Sequence, residues 1–237
     1  RKTHQEALEA GDFALAQKMA QRIISYTPEM VEETKQLLDL LGVPWVAAKA
    51  EGEGQAAVMA KIGQLDAVAT QDWDALLYGT PVLIRNMMTA GNKQHGRVVK
   101  AQKIVLEDLL GQHELSRDQL IDLAIMIGTD FHPGIRGIGP KTGIKLIKQF
   151  GDIETICAEK DKEVPQRLDE IREIFRNHPS NEVSSDALQM GEIDVAGLKQ
   201  FLQVDRQFSQ RRMDNAMEKL TNAGLIRESG QTSLFSF

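Results

Sequence analysis

Apolar residues recur at helical spacing over much of this chain and condense into short unbroken runs only in its first half. Ala7, Leu8, Leu15, Met19 and Ile23 predict a helix over 5–26, broken near Gly11-Asp12. Thr27-Pro28, a capping residue followed by proline at the first turn, predicts a second helix through Val31, Leu37, Leu38 and Leu41, stopped by Gly42. Residues 43–47 read as a buried strand, 55–62 as a short helix closed by Gly63, 67–70 as a second strand and 81–84 as a third. Strands alternating with helices predict an α/β fold built on an open, mostly parallel sheet.

After residue 104 the strand pattern stops. Ser116-Arg117-Asp118-Gln119 is a capping box ahead of Leu120, Leu123 and Ile127, with Gly128 as the stop. Further helices are expected after Pro140, over 166–176 and over 210–222, so the second half reads as nearly all helical. The tail after Gly224 has no helical periodicity and is expected to be flexible.

Composition narrows the class. At 237 residues, with 42% hydrophobic and 26% charged positions, the chain can bury a core without disulfides or a structural metal. No apolar run approaches the ~18 residues of a membrane span. The single cysteine, Cys157, excludes a disulfide within the chain and fits a reducing compartment. The chain opens at Arg1 inside an amphipathic pattern, which leads us to expect a preceding segment. A net charge of −6 would argue against nucleic acid only if the charge were evenly spread, and it is not.

Two acidic pairs follow expected strands: Glu51 and Glu53 after 43–47, and Asp72 and Asp74 after 67–70. Ligands of open parallel sheets bind beyond the carboxyl ends of the strands. In extended chain, positions i and i+2 point to one side, so each pair can present two carboxylates to one point. Such a cluster repels itself unless a hard divalent cation such as Mg²⁺ or Mn²⁺ is held there. Each pair alone also suits a simpler role, a turn or a helix cap. Asp130, just past the Gly128 stop, is a fifth candidate.

Gly134-Ile-Arg-Gly137-Ile-Gly139-Pro140-Lys141 carries a more specific signal. Glycines admit a phosphate close to backbone amides, and a helix opening at Pro140 favours anions. Lys141, Lys145 and Lys148 share one face of that helix, and 134–150 holds four basic and no acidic residues. This reads as a helix-hairpin-helix gripping a nucleic-acid backbone without reading sequence, with Gly137, Gly139 and the three lysines as DNA-binding residues. The alternative is a glycine turn with a solvated lysine face. Arg85, Lys93, Arg97, Lys100 and Lys103 form a second basic stretch without acids, suited to phosphates or to a solvated loop.

Together these motifs resemble the structure-specific 5′-nucleases, most closely archaeal flap endonucleases. Glu51-Gly-Glu53-Gly-Gln55, Gln71-Asp72-Trp-Asp74-Ala-Leu-Leu-Tyr-Gly79, Gly128-Thr-Asp130-Phe and Gly134 to Lys141 match that family in order and spacing. The resemblance implies a partial PIN-like (resolvase-like) parallel sheet with helices, followed by a mostly helical helix-hairpin-helix region. Its implied parts are a helical-arch remnant over 1–26, the C-terminal part of the α/β nuclease domain over 27–110, the helix-hairpin-helix region over 111–222 and a tail over 223–237.

The resemblance also implies two Mg²⁺, with Mn²⁺ as a substitute, held by the catalytic acids Glu51, Glu53, Asp72, Asp74 and Asp130. A K⁺ ion would sit on backbone carbonyls of Gly134, Ile135 and Ile138. The tail resembles a peptide for the sliding clamp (PCNA) at Gln231, Leu234 and Phe237, although the chain ends before the second aromatic residue of that motif. The family's first strand, two upstream aspartates and most of its arch have no counterpart here. The implied activity is hydrolysis of flapped or branched double-stranded DNA by a monomer in the archaeal cytoplasm, during replication and repair. The alternatives are a catalytically incomplete, clamp-tethered DNA-binding fragment, or another 5′-nuclease of the superfamily.

Overall fold

A computed structural model of the protein describes residues 27–94 and 97–226. The expected arch segment 1–26 and the tail residues Gln231, Leu234 and Phe237 lie outside them. The chain divides into two compact units, one formed by residues up to Trp45 with those from Ser184 onward, the other by Val46–Val183. The sequence segments 27–110 and 111–222 cut across this division: most of the α/β elements and the glycine hairpin share the Val46–Val183 unit.

In the first unit, α1 (Pro28–Leu40) starts as expected, with Thr27 Oγ1 accepting from Met30 N and proline in the first turn. The expected strand at 43–47 is not formed. Pro44 has no N–H for a ladder, Val43 N instead donates to Leu38 O at 2.9 Å, and the Trp45 indole donates to Asp39 Oδ1 at 2.9 Å. The same unit holds helical segments from late in the chain: Val195–Lys199 continues into a π-helical turn at Gln200–Asp205, and Gln210–Asn222 closes the described chain.

The second unit begins with α2 (Gly52–Lys61), then β1 (Val68–Ala69), the one-turn α3 (Asp74–Leu77) and β2 (Val82–Arg85). A small hairpin, β3 (Lys93–Gln94) and β4 (Arg97–Val98), leads to β5 (Gln102–Val105), which sequence periodicity does not reveal. The sheet order is β1-β2-β5. β1 and β2 are parallel, with Val68 opposite Leu83 and Ala69 opposite Ile84, whereas β2 and β5 are antiparallel. The sheet is therefore mixed rather than mostly parallel, because the hairpin returns the chain directly beside β2 instead of crossing over a helix. Fully buried Leu83 sits at its centre, with Ala75, Leu76 and Leu106 packed against it.

The remaining helices are α4 (Leu106–His113), α5 (Arg117–Ile127), α6 (Pro140–Phe150), α7 (Ile153–Glu159) and α8 (Leu168–Arg176). The expected capping box opens α5: Ser116 Oγ accepts from Gln119 N, and the Gln119 side chain accepts from Ser116 N. The larger core joins Ile121, Ile125, Met126, Ile147, Ile156 and Phe175. Its polar tie is Arg172, a buried guanidinium that meets Asp122 of α5 twice at 2.7 Å and Glu154 of α7 at 2.6 and 2.7 Å. A buried cation needs such a complete set of acceptors. Among the described residues no helix is long and apolar enough to cross a membrane.

Candidate functional site

The chain leaving β1 folds back on itself through short side-chain bonds. Thr70 N continues the ladder to Ile84 O at 3.2 Å, Asp72 N donates to Thr70 Oγ1 at 3.1 Å, and Asp74 N donates to Asp72 Oδ1 at 2.9 Å. This turn delivers Asp74 to the first position of α3, where a carboxylate meets the positive end of the helix. Glu51 and Glu53 arrive differently from the expectation. They do not follow a strand: Glu51 is the N-cap of α2 and Glu53 lies in its first turn. The Thr70 hydroxyl donates to Glu53 Oε1 at 3.3 Å, joining the two segments. Asp130 comes from the loop after α5, pinned by reciprocal bonds between Thr129 and His132.

These five carboxylates, with Tyr78 and Phe131, line one pocket of about 50 Å³. Asp74 shows what the convergence costs. Burial pushes its carboxyl up to about 6, and the neighbouring charges of Asp72, Asp130, Glu53 and Glu51 push in the same direction. Burial, then the charges of Glu51, Asp74, Glu53 and Asp72, also hold the Tyr78 phenol above its ordinary range, so it stays protonated. The donor set is all oxygen and mutually repulsive, which fits a hard divalent cation. Among the described residues no three of these groups close round a point that would hold a metal ion by themselves.

Thr70 does not stand out in the sequence, and Tyr78 and Phe131 appear there only as letters of the family motifs, with no role at the site assigned to them. Tyr78 also comes one helical turn after Asp74, a spacing that could mark it for the same site. Its ring packs against Phe175 at 5.2 Å and edge-on to His178 at 4.8 Å, forming a wall behind the acids. His178 is buried, and neither ring nitrogen has a partner. Arg117 fixes the end of α3 by donating to Leu77 O and to Phe175 O, at 3.0 and 2.6 Å from one nitrogen.

The glycine hairpin lies between α5 and α6. Gly134 has φ +88°, and a β-carbon there would come within 2.4 Å of Ile127 O, so the close turn requires glycine. Ile135 N donates to Met126 O at 2.8 Å, and Ile135 O accepts Ile138 N at 3.0 Å, which engages one of the three expected cation-binding carbonyls in a turn. Gly139 is the N-cap of α6 and supplies no side-chain acceptor, leaving first-turn amides available to an anion. Lys141 and Lys145 are exposed, with Arg136 exposed on the hairpin. Lys148 is engaged by Glu114 at 2.8 Å. In the second basic stretch Lys100 and Lys103 are exposed, whereas Arg85 lies over the Trp73 ring, 3.9 Å from its centroid.

Residues 42–130 match the XPG I-region family model. The chain is similar to flap endonuclease 1 of Methanosarcina barkeri, 42% identical over 89% of this chain and 63% of that protein. It is also similar to flap endonuclease 1 of Pyrococcus abyssi, 40% identical over 98% of this chain and 67% of that protein. The chain spans less than two thirds of the length of the first of these relatives. Among solved structures, flap endonuclease-1 from Methanococcus jannaschii superposes with a TM-score of 0.69 at 38% identity, covering 90% of this chain and 63% of that one. The catalytic core of Rad2 in complex with DNA substrate superposes at 0.70 with 20% identity, over 83% and 71% of the two chains, and shares the fold.

Proposed function

Because this chain belongs to the flap endonuclease family, we propose that the protein hydrolyses DNA phosphodiesters at 5′ flaps and related branches during replication and repair. One observation carries the reading: five carboxylates from three separate segments meet at one pocket, and their repulsion adds to burial in raising Asp74. Glu53, Asp72 and Asp74, with Glu51 and Asp130 beside them, would hold Mg²⁺, or Mn²⁺ in its place. Bound there, divalent ions would polarise the scissile phosphate and lower the pKa of a bound water, so that hydroxide is available as the nucleophile.

The chain's own residues do the rest. Above a pH of about 6, Asp74 is deprotonated and joins the other carboxylates as a donor. Thr70 holds Glu53 toward the Asp72 turn, and Tyr78 and Phe131 supply the apolar lining of the pocket. At the hairpin, the first amides of α6 with Lys141 and Lys145 would take phosphates of the duplex, so that shape rather than base sequence selects the substrate. K⁺ at the Gly134, Ile135 and Ile138 carbonyls would add a further positive charge facing the backbone. Gln231, Leu234 and Phe237 would dock on a sliding clamp, and the protein would work as a monomer in the archaeal cytoplasm.

The test is cleavage of a 5′-flap oligonucleotide by the protein at its full natural length. Wild-type protein cuts at the branch in Mg²⁺, and Asp74→Asn loses cutting while retaining flap binding. Unimpaired cutting by Asp74→Asn would overturn the reading.

A further inference from the structure

The carboxyl edge of the two parallel strands carries one guanidinium. Ala69 lies opposite Ile84 in the β1–β2 ladder, so the turn that follows β1 and Arg85 at the end of β2 emerge side by side. One Arg85 Nη donates to Gln71 O at 2.8 Å. The guanidinium carbon stands 3.9 Å from the centroid of Trp73, an indole that is half exposed. Arg85 Nε is shielded from solvent and has no oxygen acceptor. Gln71 and Trp73 are the two residues that flank Asp72, and Trp73 also precedes Asp74.

Arg85 therefore grips the acidic turn on both sides of Asp72 without touching its charge. Among the described residues it forms no ion pair with a carboxylate, and no cation is among the groups that shift Asp74. A guanidinium paired to Asp72 or Asp74 would compete with a metal ion for the same oxygens. One anchored through a carbonyl and a ring holds the turn and leaves the oxygens available. We propose that Arg85, stacked on Trp73, is a positioning residue that sets Asp72 and Asp74 for divalent-cation binding. The proposal rests on the reading of the carboxylate pocket given above.

The experiment measures Mn²⁺ binding by electron paramagnetic resonance, single-turnover cleavage and flap affinity for Arg85→Ala, Arg85→Lys, Trp73→Phe and Trp73→Ala. Supports behind metal ligands are worth about 10–100-fold in metal affinity, and Arg85→Ala is expected to lose that much, with cleavage falling in parallel and flap affinity unchanged. Arg85→Lys does not rescue, since an ammonium lacks the planar stack. Trp73→Phe retains most of the affinity and Trp73→Ala does not. Added methylguanidinium restores Mn²⁺ binding to Arg85→Ala. Parental Mn²⁺ affinity in Arg85→Ala overturns the inference while leaving the proposed function standing. Lost affinity accompanied by a lowered Tm and no rescue by methylguanidinium assigns Arg85 a purely structural role and also overturns it. Absence of Mn²⁺ binding in the unsubstituted protein, unchanged in Asp74→Asn, defeats the pocket reading itself.

Discussion

Gly54 lies against the imidazole of His178, so close that a β-carbon at Gly54 would come within 2.4 Å of the ring. The contact explains the second glycine of Glu51-Gly-Glu53-Gly54. The start of α2 must press onto the aromatic wall formed by His178, Tyr78 and Phe175, and only a bare backbone can approach so far. Gln55, next in sequence, secures the same approach by donating to Asn181 O at 3.0 Å and accepting Asn181 N at 2.7 Å. Gly54→Ala is expected to destabilise the fold by about 1–3 kcal/mol through overpacking. The loss should shrink when His178→Ala is added, because the second change removes the obstructing ring. Urea denaturation of both single variants and the double variant measures the coupling, and strictly additive losses would show that the two residues do not meet.

Asp74 makes stability depend on pH in an unusual direction for a carboxylate. Its folded value is about 6 against an ordinary 3.8, so the folded state holds the proton more tightly than the unfolded chain. Stability from this group is complete below the ordinary value and is lost as pH rises toward 6. Asp74→Asn removes the repulsion permanently. Since the group is partly exposed, screening reduces the gain to roughly 1 kcal/mol. The variant should melt higher than its parent at pH 7.5 and equal to it near pH 3.5 in metal-free buffer. Mn²⁺ should raise the Tm of the parent far more than that of the variant.

The Arg172 cluster responds in the opposite sense. Hydrogen bonding to Arg172 holds the Glu154 carboxyl below its ordinary value. A lowered value contributes stability above the unfolded value, lost as pH falls through the folded one. Asp122→Ala should cost more than Glu154→Ala, because Asp122 is buried with the guanidinium and Glu154 is half exposed. Removing one partner of a buried pair costs about 3–5 kcal/mol. Equal losses in denaturant for the two variants would contradict this ranking.

Legibility in the sequence follows the range of the interactions. Thr27-Pro28, the Ser116 capping box and the Pro140 start are readable because each is decided within four residues. The run at 43–47 misleads, since apolar content cannot reveal that Pro44 and the bond from Val43 N to Leu38 O preclude a ladder there. β5 escapes notice because Gln102 and Lys103 are exposed and dilute the apolar pattern to two residues. At the site, the five acids are legible as motif letters. Their setting is not, because Tyr78 meets Phe175 and Gly54 meets His178 from distant parts of the chain. Arg85 reads as one cation in a basic stretch, and only the β1–β2 register places it against Trp73.

The lysines of α6 are chemically alike in sequence and unlike in the fold. Lys141 and Lys145 are exposed, whereas Lys148 Nζ sits 2.8 Å from Glu114 Oε2. Each phosphate contact adds about 0.9 to the slope of log K against log salt concentration. Lys141→Ala with Lys145→Ala should therefore weaken duplex binding and lower that slope by about 2. For Lys148 to reach a phosphate it must first release Glu114, and the charge already placed there repels DNA. Lys148→Ala alone should then cost less than either of the other two, and Glu114→Gln should tighten binding by freeing the lysine. Fluorescence anisotropy of a labelled duplex across a salt series checks both statements. A Lys148→Ala loss as large as that of Lys141→Ala, with no effect of Glu114→Gln, would place the phosphate path along the whole lysine face instead of its first two turns.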